Sequence, residues 1–218
     1  MSQKRTGFFV DRLWEMGKMD KIKIQKLFEE FLSDKTPQPF TANLRIREWI
    51  IERKNTYNLY KDKFSSNRLA NLRDYEFHHF LTFKGNKSWT NLPRACKQVT
   101  LDMHKLQASL IHIQDDSVTI ENRLNDVVRG GKLYIKGFGK NLATGLLHVF
   151  NWHKYGVWNN RSQTVLTRLG RLPYISSSDF GGSYIRFNSQ LREFATELNT
   201  DLVHLDGFLW WLDHYHKI

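Results

Sequence analysis

Apolar residues recur at helical spacing along almost the whole chain. Near the start, the pattern i, i+3, i+4, i+7, i+8 is formed by Ile24, Leu27, Phe28, Phe31 and Leu32, which is typical of a helix with one face against a core. Strand-like alternation is scarce, and neither an internal repeat nor a low-complexity linker interrupts the chain. The pattern therefore predicts an all-α fold.

Breaks in the pattern set the expected helix boundaries. Two prolines in "SDKTPQPF" end the first helix. We expect a second helix from Leu44 to about Lys63, with Asn43 as a candidate cap. Further helices are expected over Arg73 to Phe83 and over about Pro93 to His112, where proline suits the first turn.

The second half of the chain has clearer helix ends. In "DDSVTIENRLNDVVRGG", Ser117 precedes a helix and Gly130 with Gly131 follows it. Another helix is expected over Ser162 to Leu169, ended by "GRLP". The stretch "YISSSDFGGSYIRF" is the longest irregular one, and helices return through "LREFATEL" and "LVHLDGFLWWLDHYHKI".

Composition narrows the class of protein. A hydrophobic fraction of 40% in 218 residues is ample for a core without covalent staples. Cys96 is the single cysteine, so an internal disulfide, a cysteine-ligated zinc and a cysteine-ligated iron–sulfur cluster are excluded. No apolar run is long enough to span a bilayer and the first residues lack a signal-peptide pattern. We expect a soluble, cytoplasmic protein.

Charge points to a partner. The 33 Lys and Arg against 22 Asp and Glu give a net charge of +11, spread along the chain and not gathered in a tail. A folded basic surface of this kind favours nucleic acid, because neutralised phosphates release counterions. A membrane surface would be expected to require one basic amphipathic helix, which the sequence does not contain.

A glycine pair provides the first candidate site. "GFG" at Gly137 to Gly139 lies between an apolar lead-in and an amphipathic helix, flanked by Lys136 and Lys140. Such a turn exposes main-chain N–H groups at a helix N-terminus and so favours a phosphate. The alternative is a plain helix–turn–helix corner. The spacing matches neither a Walker A loop nor a dinucleotide-binding unit.

Two motifs together resemble a known family. "IKGFGKNLATGLL" is similar to the helix-hairpin-helix of the endonuclease III-like DNA glycosylases, and "VWNNRSQTVLTRLG" is similar to the segment that carries their catalytic aspartate. Counting back from the shared Arg-Leu-Gly, or forward 20 residues from Gly139, places Asn159 at the position of that aspartate. The resemblance covers about Asp74 to Gly170.

The resemblance implies DNA contacts. The hairpin of that family binds the DNA backbone through main-chain amides, often with a monovalent cation, a role that would fall to Lys136, Gly137, Phe138, Gly139 and Lys140 without specifying sequence. A second segment, "EFHHFLTFKGNKSWTNLPRACK", resembles the loop that inserts into the space left by a flipped nucleotide. Its wedge candidates, alternatively a surface turn with the tryptophan packed on the core, are Asn86, Lys87 and Trp89.

Departures from the family pattern bear on the chemistry. The lysine of its strand-cleaving members is replaced by Asn141, so the resemblance implies no Schiff base and no lyase activity. An amide at Asn159 accepts no proton at neutral pH, although it can orient water or bind a base edge. Three readings stay open: a monofunctional glycosylase, a reader that flips a modified base without cutting, and an engineered aspartate-to-asparagine substitution.

The remaining candidates surround Asn159. Asp179 could supply the missing negative charge, or it could cap a helix among serines and glycines. Trp158 could wall a pocket for an extruded base, with Asn141 and Asn160 as further pocket residues, and Arg161 is expected to contact DNA. We expect no metal site, because the histidines lack ligand spacing.

These inferences combine into one expected architecture. The chain is an all-α domain of the helix-hairpin-helix glycosylase type, either compact or with two helical lobes and a cleft between them. Residues 1–73 form N-terminal helices, 74–170 the wedge loop and hairpin core, and 171–218 a C-terminal loop and helices. The expected protein is a monomer without a cofactor that binds double-stranded DNA at the bacterial nucleoid and acts in repair or in defence against modified phage DNA.

Overall fold

The computed structural model describes residues 21–35, 44–82, 85–86, 97–128 and 130–216. Over these residues the protein is all-helical and has no β-strand, which confirms the predicted class. Besides a helical stretch at residues 97–99, this part of the chain contains ten α-helices: α1 Lys21–Ser33, α2 Ile46–Lys63, α3 Ser66–Leu69, α4 Asp74–Phe80, α5 Met103–Gln114, α6 Ile120–Val127, α7 Lys140–Phe150, α8 Asn160–Arg168, α9 Phe180–Glu197 and α10 Leu202–Trp211. A π-helical turn, Leu212–His216, continues α10.

The apolar stripe of α1 faces the core as predicted. Its residues Ile24, Leu27, Phe28 and Phe31 are buried, and Leu32 is partly buried against them. The helix packs on α2 and α10, so the N-terminal and C-terminal parts of the described chain share one core.

Helix boundaries in the first half differ from those expected. The second helix begins at Ile46 and not at Leu44, and the candidate cap Asn43 lies outside the described residues. The helix expected over Arg73 to Phe83 ends at Phe80, and Phe83 is also outside the described part. Apolar spacing continues past these ends, which is why periodicity alone misplaces them.

The long helix expected over Pro93 to His112 is interrupted. Residues 97–99 are helical, a turn follows, and α5 begins at Met103. The carboxylate of Asp102 accepts a hydrogen bond from the main-chain N–H of Lys105 at 2.9 Å, so it caps a new helix. An aspartate at this position favours a helix start over helix continuation.

The N-terminal cap of α6 differs from the one predicted. Thr119, not Ser117, accepts from the main-chain N–H of Asn122, at 3.3 Å. The Ser117 hydroxyl instead donates to Asp115 at 2.6 Å. At the other end, Gly130 has a φ of 93°, as its predicted place after the helix requires.

Helices α6 and α9 pack unusually closely. A Cβ on Gly181 would lie 2.2 Å from the main-chain oxygen of Glu121, so the glycine permits the approach. The Asn125 amide oxygen accepts from the Gly181 N–H at 2.8 Å. The start of α9 is thereby attached near the end of α6, beside the turn that leads to α7.

The end of α8 follows the predicted stop. Gly170 has a φ of 65°, and the N–H of Arg171 donates to the carbonyl of Leu166 at 2.8 Å. This is a Schellman ending, which satisfies carbonyls that the helix leaves unpaired. None of the described helices is long and apolar enough to cross a membrane.

Candidate nucleic-acid interface

The turn before α7 combines a buried anchor with exposed main chain. Phe138 is fully buried, and its N–H donates to the carbonyl of Ile135 at 2.9 Å. Gly137 has a φ of 92°, a conformation that side chains rarely adopt. Lys136 and Gly139 on either side are exposed. The phenylalanine therefore holds the hairpin on the core while its neighbours meet solvent.

Gly139 is open to close approach. It is the N-cap of α7 with a φ of −95°, and a Cβ added there would meet no atom within 4 Å. The first N–H groups of a helix have no partner within it, and the cap supplies no side-chain hydrogen bond. Space and unpaired donors thus coincide at the positive end of the helix dipole.

A surface depression of about 320 Å³ joins this helix start to the start of α8. Five residues expected at the DNA interface or base pocket contribute to its lining, although they come from two separate segments of the chain. The lining comprises Gly137, Gly139, Lys140, Asn141, Leu142 and Asn160.

Asn159 caps α8 through a reciprocal pair of hydrogen bonds. Its side-chain oxygen accepts from the Ser162 N–H at 2.9 Å, and its own N–H donates to the Ser162 hydroxyl at 3.0 Å. This is a capping-box arrangement. The oxygen is committed to the helix, whereas the side-chain NH₂ donates to no described residue. The cap thus uses one acceptor site of Asn159, and the NH₂ is left as a donor on the residue next to Asn160, which lines the depression.

Trp158 lies in the core and not on the surface, which corrects its expected place as a wall of a base pocket. Its side chain is 3% exposed. The ring stacks on Phe180 at 5.4 Å and on Phe187 at 4.9 Å between centroids. Aromatic rings of α9 therefore occupy the space beside the Trp158 ring.

Gln163 connects the hairpin lysine to this stack. Its side-chain oxygen accepts from Lys140 Nζ at 3.1 Å and from Trp158 Nε1 at 3.0 Å. The ammonium of Lys140 also lies 5.2 Å from the Trp158 ring centroid, and partial burial lowers its pKa. Sequence reasoning missed Gln163, whose signal is its place one helical turn after Asn159.

Asp179 is the N-cap of α9, so the helix-cap alternative is confirmed. Its carboxylate accepts from the N–H of Gly182 at 2.9 Å and from the Asn125 amide at 3.4 Å. The Gly182 N–H is the main reason that the pKa of Asp179 is lowered, although burial opposes it. Asp179 is ionised at neutral pH and lies one residue from the ring that stacks on Trp158.

The other residues expected to contact DNA are buried, partly buried or outside the described part of the chain. Asn86 is buried, which does not suit a wedge, and Lys87 with Trp89 lies outside the described residues. Arg161 is partly buried and stacks on Trp210, with 4.2 Å between guanidinium carbon and ring centroid. Within the described ranges, no group of three or more His, Cys, Asp or Glu could hold a metal ion.

Comparison of the chain with protein-family models, with curated proteins and with solved structures finds no match.

Proposed function

We propose that the protein is a helix-hairpin-helix DNA glycosylase-like enzyme. It binds duplex DNA as a monomer, extrudes one damaged or modified nucleotide towards the depression between the starts of α7 and α8, and hydrolyses its N-glycosidic bond without lyase chemistry. The cellular setting of the proposal is cytoplasmic DNA, in repair or in defence against modified phage DNA.

One observation carries the proposal. The depression that joins the exposed helix start at Gly139 to the start of α8 is lined by three of the residues expected to bind DNA, Gly137, Gly139 and Lys140, and by two of those expected at the base pocket. A phosphate placed there would meet unpaired main-chain N–H groups and the helix dipole. Lys136, exposed beside the turn, would add a charge-assisted contact. Such contacts position DNA without reading its sequence.

The proposed chemistry divides between two helix caps. The ionised carboxylate of Asp179 stabilises the positive charge that develops on the sugar as the base departs. The side-chain NH₂ of Asn159 donates to the departing base, which leaves with the electron pair of the broken bond and takes up the proton that the attacking water releases. Asn141 at the hairpin has no amine that could form a Schiff base, so the product is an abasic site in an intact strand.

A monovalent cation at the hairpin is not required for any of these steps. Main-chain carbonyls of the turn are the available ligands, and that of Ile135 already accepts from Phe138. Among the described residues that line the depression there is no acidic side chain.

A second candidate function is a non-catalytic reader of a flipped modified base, such as a specificity module of a restriction system. The hydrogen bond from the Ser162 N–H to the Asn159 side-chain oxygen favours it, because this contact competes with a water molecule for the same acceptor. A donor alone is sufficient to bind a base edge.

Incubation with modified phage DNA and with a panel of lesion duplexes distinguishes the two functions. The glycosylase leaves abasic sites that alkali converts to strand breaks. Tight binding without alkali-labile sites would replace the enzyme with the reader. Absence of duplex binding at low salt would reject both.

The matched charge test is Asp179→Asn. Asparagine still caps α9, so the variant should fold and bind DNA, while turnover falls at least about a hundredfold on loss of one directed electrostatic contact. Asp62→Asn removes the same charge from an exposed ion pair with Arg68 and should leave turnover unchanged. Equal turnover in both variants would remove Asp179 from the mechanism.

A further inference from the structure

A second pocket, of about 480 Å³, lies at the start of α6. Residues from the α5–α6 loop, the segment after α7 and the middle of α9 line it. The hairpin follows the other end of α6, which is eight residues long.

Arg123 forms the base of this pocket. It is 4% exposed, and its guanidinium donates to the carbonyl of Ile113 at 3.0 Å and to the Tyr155 hydroxyl at 3.1 Å. Asp116 lies 3.0 Å from the same group. The Nε of Arg123 is buried without a hydrogen-bond partner among the described residues, so one of the donors of this guanidinium is unsatisfied.

The upper wall of the pocket adds two more cations. Lys154 is about half exposed and lies 3.8 Å from Asp116. Arg192 is exposed and forms no ion pair with a described residue. Three cations therefore face one carboxylate, Asp116, which is 76% exposed. This excess of positive charge favours a doubly charged anion over a neutral ligand.

The wall is held in place before any ligand binds. The Asn188 side chain donates to the carbonyl of Lys154 at 2.9 Å and accepts from the N–H of Gly156 at 2.7 Å. The Tyr184 hydroxyl donates to the carbonyl of Gly156 at 2.8 Å. These bonds attach the segment after α7 to α9, so the main chain at Lys154 and at Arg192 is held on either side of the pocket.

We propose that this pocket binds a phosphate group, with Lys154 and Arg192 as the exposed contacts above the buried Arg123. The N-terminus of α6, capped by Thr119, adds its dipole to the same site. The phosphate comes either from a small phosphomonoester or from a DNA strand that extends past the hairpin. Binding of phosphate itself is independent of the glycosylase proposal.

The test is a calorimetric titration of the full chain with inorganic phosphate, at constant ionic strength against chloride. The double variant Lys154→Gln/Arg192→Gln should bind phosphate about a hundredfold more weakly, since each removed charge-assisted contact is worth about tenfold in affinity. The control Arg47→Gln/Lys61→Gln removes two exposed charges from α2 and should bind as the parent does. Equal phosphate affinity in the two double variants, or no binding beyond that of chloride, overturns the proposal.

Two further titrations identify the source of the phosphate. If the site takes DNA, a fluorescent duplex binds the pocket variant more weakly than the control and with a smaller salt slope. If it takes a small molecule, adenosine monophosphate binding is lost in the pocket variant while duplex binding is retained. If the parent binds phosphate but no duplex, and the pocket variant loses the phosphate, the result supports this pocket and rejects the proposed function.

Discussion

The rings of Trp158 and Phe180 stack with their centroids 5.4 Å apart. Both residues are next to a helix cap. Trp158 comes directly before Asn159, the cap of α8, and Phe180 comes directly after Asp179, the cap of α9. The stack therefore brings the starts of α8 and α9 side by side. Lys140, bonded to the same Gln163 oxygen as Trp158, adds the start of α7, so three helix N-termini meet around one buried ring.

Trp158→Ala should destabilise the protein by about 3–5 kcal/mol, the usual cost of removing a large buried aromatic side chain. Trp158→Phe keeps a ring in the stack and loses the hydrogen bond to Gln163, so about 1–2 kcal/mol is expected. Urea denaturation gives both values. Similar small losses in the two variants would show that the stack does not hold the helix starts together.

Helical spacing predicts much of the fold because it reports which face of each segment is buried. The stripe of α1 and the glycine stop after α8 are visible in sequence for this reason. The break before Met103 is not, since apolar spacing runs through it and only the cap formed by Asp102 reveals it. A local hydrogen bond there outweighs the periodic pattern.

The candidate site is predictable only in part. The glycine turn is visible in the sequence, whereas the lining of one depression by both Asn141 and Asn160 is seen only in the structure. The burial of Trp158 depends on Phe180 and Phe187, which lie more than 20 residues away in sequence. Spacing within a motif does not predict such long-range packing, and the same holds for the pocket around Arg123.

The two hairpin glycines should respond differently to substitution. Gly137→Ala imposes a side chain at a φ of 92° and should destabilise the protein by about 1–3 kcal/mol. Gly139→Ser enters open space at an extended N-cap, where serine is at least as favourable as glycine. Its stability should stay within about 0.5 kcal/mol of the parent, as measured by thermal unfolding.

Gly139→Ser should weaken DNA binding although it leaves stability unchanged. The added side chain obstructs the main-chain N–H groups, so affinity for all duplex sequences should fall by about tenfold, which is the loss of roughly one phosphate contact. Fluorescence anisotropy with two unrelated duplexes measures this. A loss of affinity for only one of the two duplexes would contradict sequence-independent binding of the DNA backbone.

Substitutions of Asn159 separate its cap from its amide donor. Asn159→Ala removes the acceptor for the Ser162 N–H and should destabilise the protein by about 1 kcal/mol. Asn159→Ser retains a capping oxygen but has no NH₂, so its stability should match the parent while base excision or base binding is lost. Full function in the serine variant would leave Asn159 with a structural role alone.

His148 in α7 is held in one neutral form. Its Nδ1 lies 2.7 Å from the carbonyl of Tyr155, and because a carbonyl only accepts, Nδ1 carries the proton. Nε2 is buried without a hydrogen-bond partner in the described part of the chain. Burial lowers the pKa of His148 to about 4, and the nearby Arg53 contributes in the same direction while Asp206 opposes it.

Because of His148, the free energy of unfolding should already fall at pH values above those at which carboxylates take up protons. Between about pH 6.5 and pH 4 the unfolded chain takes up a proton at His148 that the folded chain does not, so the free energy of unfolding should fall by up to about 3 kcal/mol and then level off. Urea denaturation from pH 7.5 to pH 4 measures this fall. His148→Leu cannot take up the proton, so its stability should decline less over the same interval, whatever its value at pH 7.5. Parallel declines in parent and variant would show that another group causes the acid sensitivity.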